Sequence, residues 1–103
     1  MEKLMFEFAP DPAVADISQQ VLVGVVGSGD LEVLVETQKN AITIEVTTSV
    51  DGMSAVWQAL MQRLFSSVSF PGLRVEINDF GATPGVVRMR VEQALEQLGL
   101  LAN

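Results

Sequence analysis

The residues best suited to chemistry are Ser28 and its neighbours in the run Gly27-Ser28-Gly29-Asp30. Glycine on either side lets the backbone take positive φ around the serine and turns its hydroxyl toward solvent. A serine that accepts a bulky group from a transferase needs this openness. It needs neither a lowered pKa nor a neighbouring base, because the transferase brings the catalysis. The same four residues also read as a plain hairpin turn without chemistry, since Gly, Ser and Asp are common turn formers. A hydrolytic nucleophile is a poorer reading. Gly27-Ser28-Gly29 falls short of the Gly-x-Ser-x-Gly elbow, and the chain has no histidine to take the proton. A phosphate cradle over Gly24 to Gly29 fails as well, because no lysine follows and the next element reads as a strand.

A second run, Asp79-Phe80-Gly81-Ala82-Thr83-Pro84-Gly85, contains the Asp-Phe-Gly triplet of kinase magnesium loops. Nothing else of a kinase fits in 103 residues, so the triplet is coincidence. The run reads as a strand-to-helix connection, or as backbone N–H groups at a helix N-terminus offered to an anion. Arg88 and Arg90 lie just inside that helix, either within reach of a pyrophosphate or as solvated surface charges. A third group, Trp57 with Met53, Met61 and Phe65, recurs at helical spacing. It reads as core rather than as a soft partner surface.

Composition narrows the chemistry further. The chain has no cysteine, which excludes disulfides, thiolate metal sites and a cysteine nucleophile. With no histidine, the commonest general base and metal ligand near neutral pH are also missing. No catalytic set and no metal site are therefore expected. Thirteen acidic against six basic residues give a net charge of −7, which repels phosphate backbones and argues against nucleic-acid binding. At 49% apolar and 18% charged residues the chain is too hydrophobic for disorder, and its length suits one domain, residues 1–103. No segment has the layout of a signal peptide and no apolar run reaches spanning length. A cytoplasmic protein without membrane contact is expected.

The elements that position Ser28 follow from periodicity. Leu4 to Phe8 alternate, giving a short strand, and Ala9-Pro10-Asp11-Pro12 breaks it. Val21 to Val26 is a dense β-branched run, Leu31 to Glu36 alternates, and the Gly-rich stretch between them makes the two a hairpin. After a polar turn over Thr37 to Asn40, Ile42 to Thr48 alternates again, which predicts a three-strand meander. From Met53 the period changes: Val56, Trp57, Leu60, Met61, Leu64 and Phe65 predict a helix with Asp51 or Ser54 as cap. Phe70-Pro71-Gly72 is a turn, and Leu73, Val75 and Ile77 predict another strand. Thr83-Pro84 is a helix start, followed by the stripe Val87, Val91, Leu95, Leu98 and an Arg88–Glu92 pair four apart. Residues 86–91 also alternate, so strand and helix both remain open there, with length favouring helix. The order βββ-α-β-α, with a short extra N-terminal strand, predicts an α+β fold: a mostly antiparallel sheet with two helices on one face.

Three blocks carry a family resemblance. Val23-Gly24-Val25-Val26-Gly27-Ser28-Gly29-Asp30-Leu31-Glu32-Val33-Leu34 resembles the attachment segment of malonate decarboxylase acyl-carrier (delta) subunits. Val46 to Gly52 is similar to that family's strand-to-helix passage, and Ile77 to Arg88 to its C-terminal block. The resemblance implies that Ser28 carries 2′-(5″-phosphoribosyl)-3′-dephospho-coenzyme A through a phosphodiester, with Gly27, Gly29 and Asp30 around it. The arm ends in a thiol, so the protein itself can lack cysteine. It further implies an acyl-transferase (alpha) subunit, a decarboxylase (beta and gamma) pair and a prosthetic-group transferase as partners, and a net conversion of malonate to acetate and carbon dioxide. Tethering would make each encounter intramolecular. The citrate lyase carrier is a lower-ranked resemblance, and a structural or regulatory subunit is the reading without a carrier. Asp30 and Glu32 are expected to steer the carrier toward basic partner surfaces.

Overall fold

The computed structural model describes residues 1–11, 23–66 and 69–101. Seven elements follow in order: β1 (Glu2–Phe8), β2 (Val23–Ser28), β3 (Leu31–Thr37), β4 (Ile42–Thr48), α1 (Ser54–Ser66), β5 (Leu73–Asp79) and α2 (Pro84–Gln97). This is the expected α+β order. Pro12 and the Val21-Leu22 start of the expected strand lie outside the described residues. In each strand alternate side chains enter the core, as period two requires. Leu31, Val33, Val35, Ile42, Ile44, Val46, Leu73, Val75 and Ile77 are all buried beneath the two helices.

The strands do not form the expected meander. Their order is β1-β4-β5-β3-β2, so β5 stands between β3 and β4, antiparallel to the first and parallel to the second. The connection after β3 explains why. Asn40 takes a left-handed φ of 70°, and the Gln38 side-chain amide donates to Ala41 O, Thr43 Oγ1 and Leu73 O at 3.2, 3.0 and 3.0 Å. Backbone bonds from Gln38 N to Gly72 O and from Leu73 N to Ala41 O, both 3.0 Å, complete this clasp. The turn thus wraps the start of β5 and holds β3 and β4 apart by about two strand spacings of ~4.8 Å each. The parallel β4–β5 pair is joined through α1, the crossover such a pair needs.

Both helices obey their stripes except at the start of α1. In α2, Thr83 caps the helix by accepting from Val86 N, Pro84 occupies the first turn, and Val87, Val91, Ala94 and Leu95 are buried. The alternation in residues 86–91 therefore belongs to a helix. It ends in a Schellman pattern, with Gly99 at φ 73° and bonds from Gly99 N to Glu96 O and Leu100 N to Leu95 O. In α1, Trp57, Met61, Leu64 and Phe65 are buried as expected. Met53 is not: it is 37% exposed, and Val56 39%. The Met53 carbonyl accepts from Trp57 N, so Met53 holds the cap position in place of Asp51 or Ser54. Asp51 instead pairs with the N-terminal amine at 3.4 Å.

One glycine sets how α2 sits on β2. A Cβ on Gly24 would stand 2.7 Å from the Ala94 carbonyl oxygen, nearer than a real Cβ comes to backbone. Gly24→Ala must therefore push α2 away from β2 and loosen the core beneath. We expect a loss of about 1–3 kcal/mol, the usual range for overpacking. Equilibrium urea unfolding should show a lower midpoint, and an unchanged midpoint would contradict this contact. No helix among the described residues is long and apolar enough to cross a membrane.

Candidate functional site

Ser28 is the last residue of β2, paired with Leu31 across a two-residue Gly29-Asp30 turn. It shares a face with Gly24 and Val26, the helix-bearing side of the sheet, and is half-buried. The backbone differs from the sequence expectation. Neither Gly27 nor Gly29 lies in the left-handed region, which is occupied by Gly52, Gly81 and Gly99. The strand simply continues through Gly27 and Ser28, so the turn needs no unusual conformation before Asp30. A Cβ at either position would meet no atom within 4 Å, and Gly27, one residue along the strand, faces the opposite side of the sheet from Ser28. Ser28 is reached from the exposed Gly29-Asp30 turn, with no contribution from backbone strain.

The hydroxyl is held. Ser28 Oγ donates to Asp30 Oδ1 at 2.9 Å, with the Leu31 carbonyl a longer alternative at 3.3 Å. Phe80 N donates to the Asp30 carbonyl at 2.9 Å and ties the turn to the end of β5. The structure therefore brings together Ser28, Gly29 and Asp30 at one hairpin, with Gly27 just behind. It does not bring Glu32 with them. Leu31 points into the core, so Glu32 projects from the opposite, uncovered face. There it belongs to an acidic surface with Glu36, Glu45 and Glu76. Arg74 lies among them and donates to Glu36 at 2.9 Å and to Glu76. These bonds, Glu36 first, hold its guanidinium above its usual pKa.

Strand register places further groups at the Ser28 end of the sheet. Ser28 pairs with Leu31, Leu31 with Asp79, and Asp79 with Thr48. Asp79 is buried, 4% exposed, and accepts from Thr48 Oγ1 at 2.8 Å, Ala82 N at 2.9 Å and Gly81 N at 3.3 Å. The Asp-Phe-Gly run is therefore a braced strand-to-helix connection. Beside it Val50, Met53, Val56, Trp57, Ala82 and Pro84 line a mostly apolar cleft of about 200 Å³. Phe80 stands outward, 55% exposed. Sequence reasoning missed this apolar end. Its one signal was Phe80, an aromatic residue inside a turn run where polar residues predominate.

Of the two arginines proposed for an anion, Arg88 pairs with Glu92 at 3.4 Å on the side of α2 that faces α1. Arg90 lies on the other flank, with Gln93 and Gln97; Gln97 accepts from Val25 N on β2 at 3.2 Å. The Arg90 guanidinium donates to Gln93 Oε1 at 2.9 Å, and its Nε is buried without a hydrogen-bond partner among the described residues.

Fold and site together define a small α+β domain that presents an open, hydrogen-bonded serine hydroxyl at the end of an edge hairpin. Residues 18–98 match the family model described as malonate decarboxylase delta subunit (MdcD), an acyl-carrier family. The chain is 53% identical over 100 residues to the malonate decarboxylase acyl carrier protein of Pseudomonas syringae pv. syringae (strain B728a), covering 96% of this chain and 98% of that one. The corresponding protein of Stutzerimonas stutzeri (strain A1501) is also 53% identical, with the same coverage. A chain in the crystal structure of a Pseudomonas malonate decarboxylase hetero-tetramer in complex with malonate superposes with a TM-score of 0.77 at 44% identity, over 96% of this chain and 100% of that one. The chain belongs to the malonate decarboxylase acyl-carrier family.

Proposed function

We propose that this chain is the carrier subunit of a malonate decarboxylase and that Ser28 is its attachment point. The prosthetic group would be 2′-(5″-phosphoribosyl)-3′-dephospho-coenzyme A in phosphodiester linkage, supplying a terminal thiol that takes acetyl and malonyl groups. The observation that carries the reading is the place of the Ser28 hydroxyl at the end of an edge hairpin, beside the exposed Gly29-Asp30 turn, where a Cβ on Gly29 would meet no atom within 4 Å. Arg90, its Nε unpaired among the described residues, gives the β2 flank of α2 a positive charge suited to a phosphate.

In this reading the protein's own residues do no bond chemistry on the acyl group. The β2–β3 hairpin fixes the anchor, and the tether makes each delivery intramolecular. An acyl-transferase (alpha) subunit and a decarboxylase (beta and gamma) pair would act on the delivered group, and a separate transferase would load Ser28. The hetero-tetramer that contains the structural relative supports the presence of partner subunits. The exposed Phe80 and the apolar cleft lie at the anchor's end of the sheet, so delivery and docking would share one end.

The direct experiment is intact-mass analysis of the protein purified from its native host. A mass increase equal to the nucleotide arm, localised to Ser28 by fragmentation, is the expected result. An unmodified Ser28 in an active complex would refute the proposal.

A further inference from the structure

We propose that Asp30 is the general base for loading of Ser28, so that this chain supplies part of the catalysis of its own modification. The inference rests on Ser28 being the attachment point. Forming a phosphodiester at Ser28 requires the hydroxyl to lose its proton. The charged acceptor placed for that proton is the Asp30 carboxylate, 2.9 Å from Oγ and nearer than the Leu31 carbonyl at 3.3 Å. A carboxylate at this distance is within reach of direct proton transfer. The other acids near this end are engaged or turned away. Asp79 is buried and accepts from Thr48 Oγ1 and from the Ala82 and Gly81 N–H groups, and Glu32 lies on the opposite face of the sheet.

The step balances simply. A Ser28 Oγ lone pair forms the new O–P bond on a phosphoanhydride-activated nucleotide donor held by the transferase. The P–O bond to the phosphate-type leaving group breaks and that group departs with the electron pair. The Ser28 proton passes to Asp30 and then to water. The exposed turn, with open space at Gly29, leaves the hairpin tip accessible to the donor beside an oxygen whose proton is already engaged.

The fate of the contact after loading separates this role from a structural one. A phosphodiester oxygen has no proton to donate, and its phosphate sets a negative charge beside the carboxylate. The Ser28–Asp30 hydrogen bond therefore exists only before loading, and a bond that must be lost on maturation does not serve to hold the mature turn together. It serves the reaction that ends it.

The test uses full-length apo protein made in a host without the modifying transferase. Cleared lysate of the native host supplies transferase and donor, and loading is followed by intact mass across a pH series. Asp30→Asn keeps an oxygen acceptor but removes the base, and it should load about 100-fold more slowly, the lower end of general-base effects. Asp30→Glu should recover most of the rate. The wild-type to Asp30→Asn rate ratio should fall toward one as the pH is lowered, because the transferase's own pH dependence cancels in the ratio. Unloadable Ser28→Ala and Ser28→Ala/Asp30→Asn proteins should compete equally for the transferase. Asp30→Asn loading within twofold of wild type would overturn the proposal. So would a ratio independent of pH, or a weak double-variant competitor, since either assigns Asp30 to recognition. If Ser28→Ala itself gains the arm, or wild type never does, the attachment reading fails, an outcome distinct from failure of the base.

Discussion

Ser28→Ala should abolish malonate turnover by the assembled complex while leaving the carrier's stability within about 0.5 kcal/mol of wild type, as for most surface substitutions. Among the described residues the hydroxyl makes its hydrogen bonds within its own turn, to Asp30 and toward Leu31 O. Its removal leaves the β2–β3 ladder and the Phe80 to Asp30 backbone bond intact. Function, in contrast, has no substitute, because the chain has no cysteine and no second serine stands between bare glycines at a hairpin. Turnover assays of complex rebuilt with the variant, beside thermal melts of the variant alone, separate the two effects. Residual turnover above a few per cent of wild type would place the arm elsewhere or make it dispensable. Equal loss of stability and activity would show that the turn itself had collapsed.

Asp79→Ala should have the opposite profile, with a large loss of stability. The carboxylate holds the Thr48 hydroxyl and two backbone N–H groups of the β5–α2 connection, and its own backbone carbonyl accepts from Ser49 N at 2.9 Å. Alanine leaves Thr48 and Ala82 N–H without that acceptor in a buried setting. At about 1–3 kcal/mol for each stranded group, the loss should come to about 3 kcal/mol, a large share of a small domain's total. Asp79→Asn keeps the size and one acceptor oxygen, so it should cost about half as much by the same reckoning. Urea unfolding of both variants measures this. A loss below 1 kcal/mol for Asp79→Ala would mean that water satisfies these groups.

The strands and helices were legible because burial alternates with period two or follows a helical stripe, and both patterns survive in the structure. Pairing was not legible in the same way. Alternation states which side of β4 faces the core but says nothing of its neighbour, and the Gln38 clasp that opens a place for β5 depends on a side chain donating to three groups, one of them 35 residues away. Met53 was misplaced because it continues the apolar stripe one step past the helix's first residue, where an open cleft replaces the core. The serine was legible as a residue between two glycines, but the reason given for them was conformational, whereas neither takes positive φ in the structure. Asp30 is legible in the sequence as a neighbour of the attachment serine and as a steering charge, not as a partner of its hydroxyl. Its bond to Ser28 became visible only once the strand was found to run to Ser28, which brings the carboxylate back over the hydroxyl.

The central place of β5 ties the anchor to the order in which the chain is made. The β2–β3 hairpin is complete after 37 residues, yet the Asp30 carbonyl waits for Phe80 N, and β3 waits for residues 73–79 to cover its other edge. During synthesis most of the polypeptide must leave the ribosome before the hairpin is braced from behind. If Ser28 carries the arm, a transferase that reads the braced turn would meet a finished protein, and the arm would go only to chains that have closed their sheet.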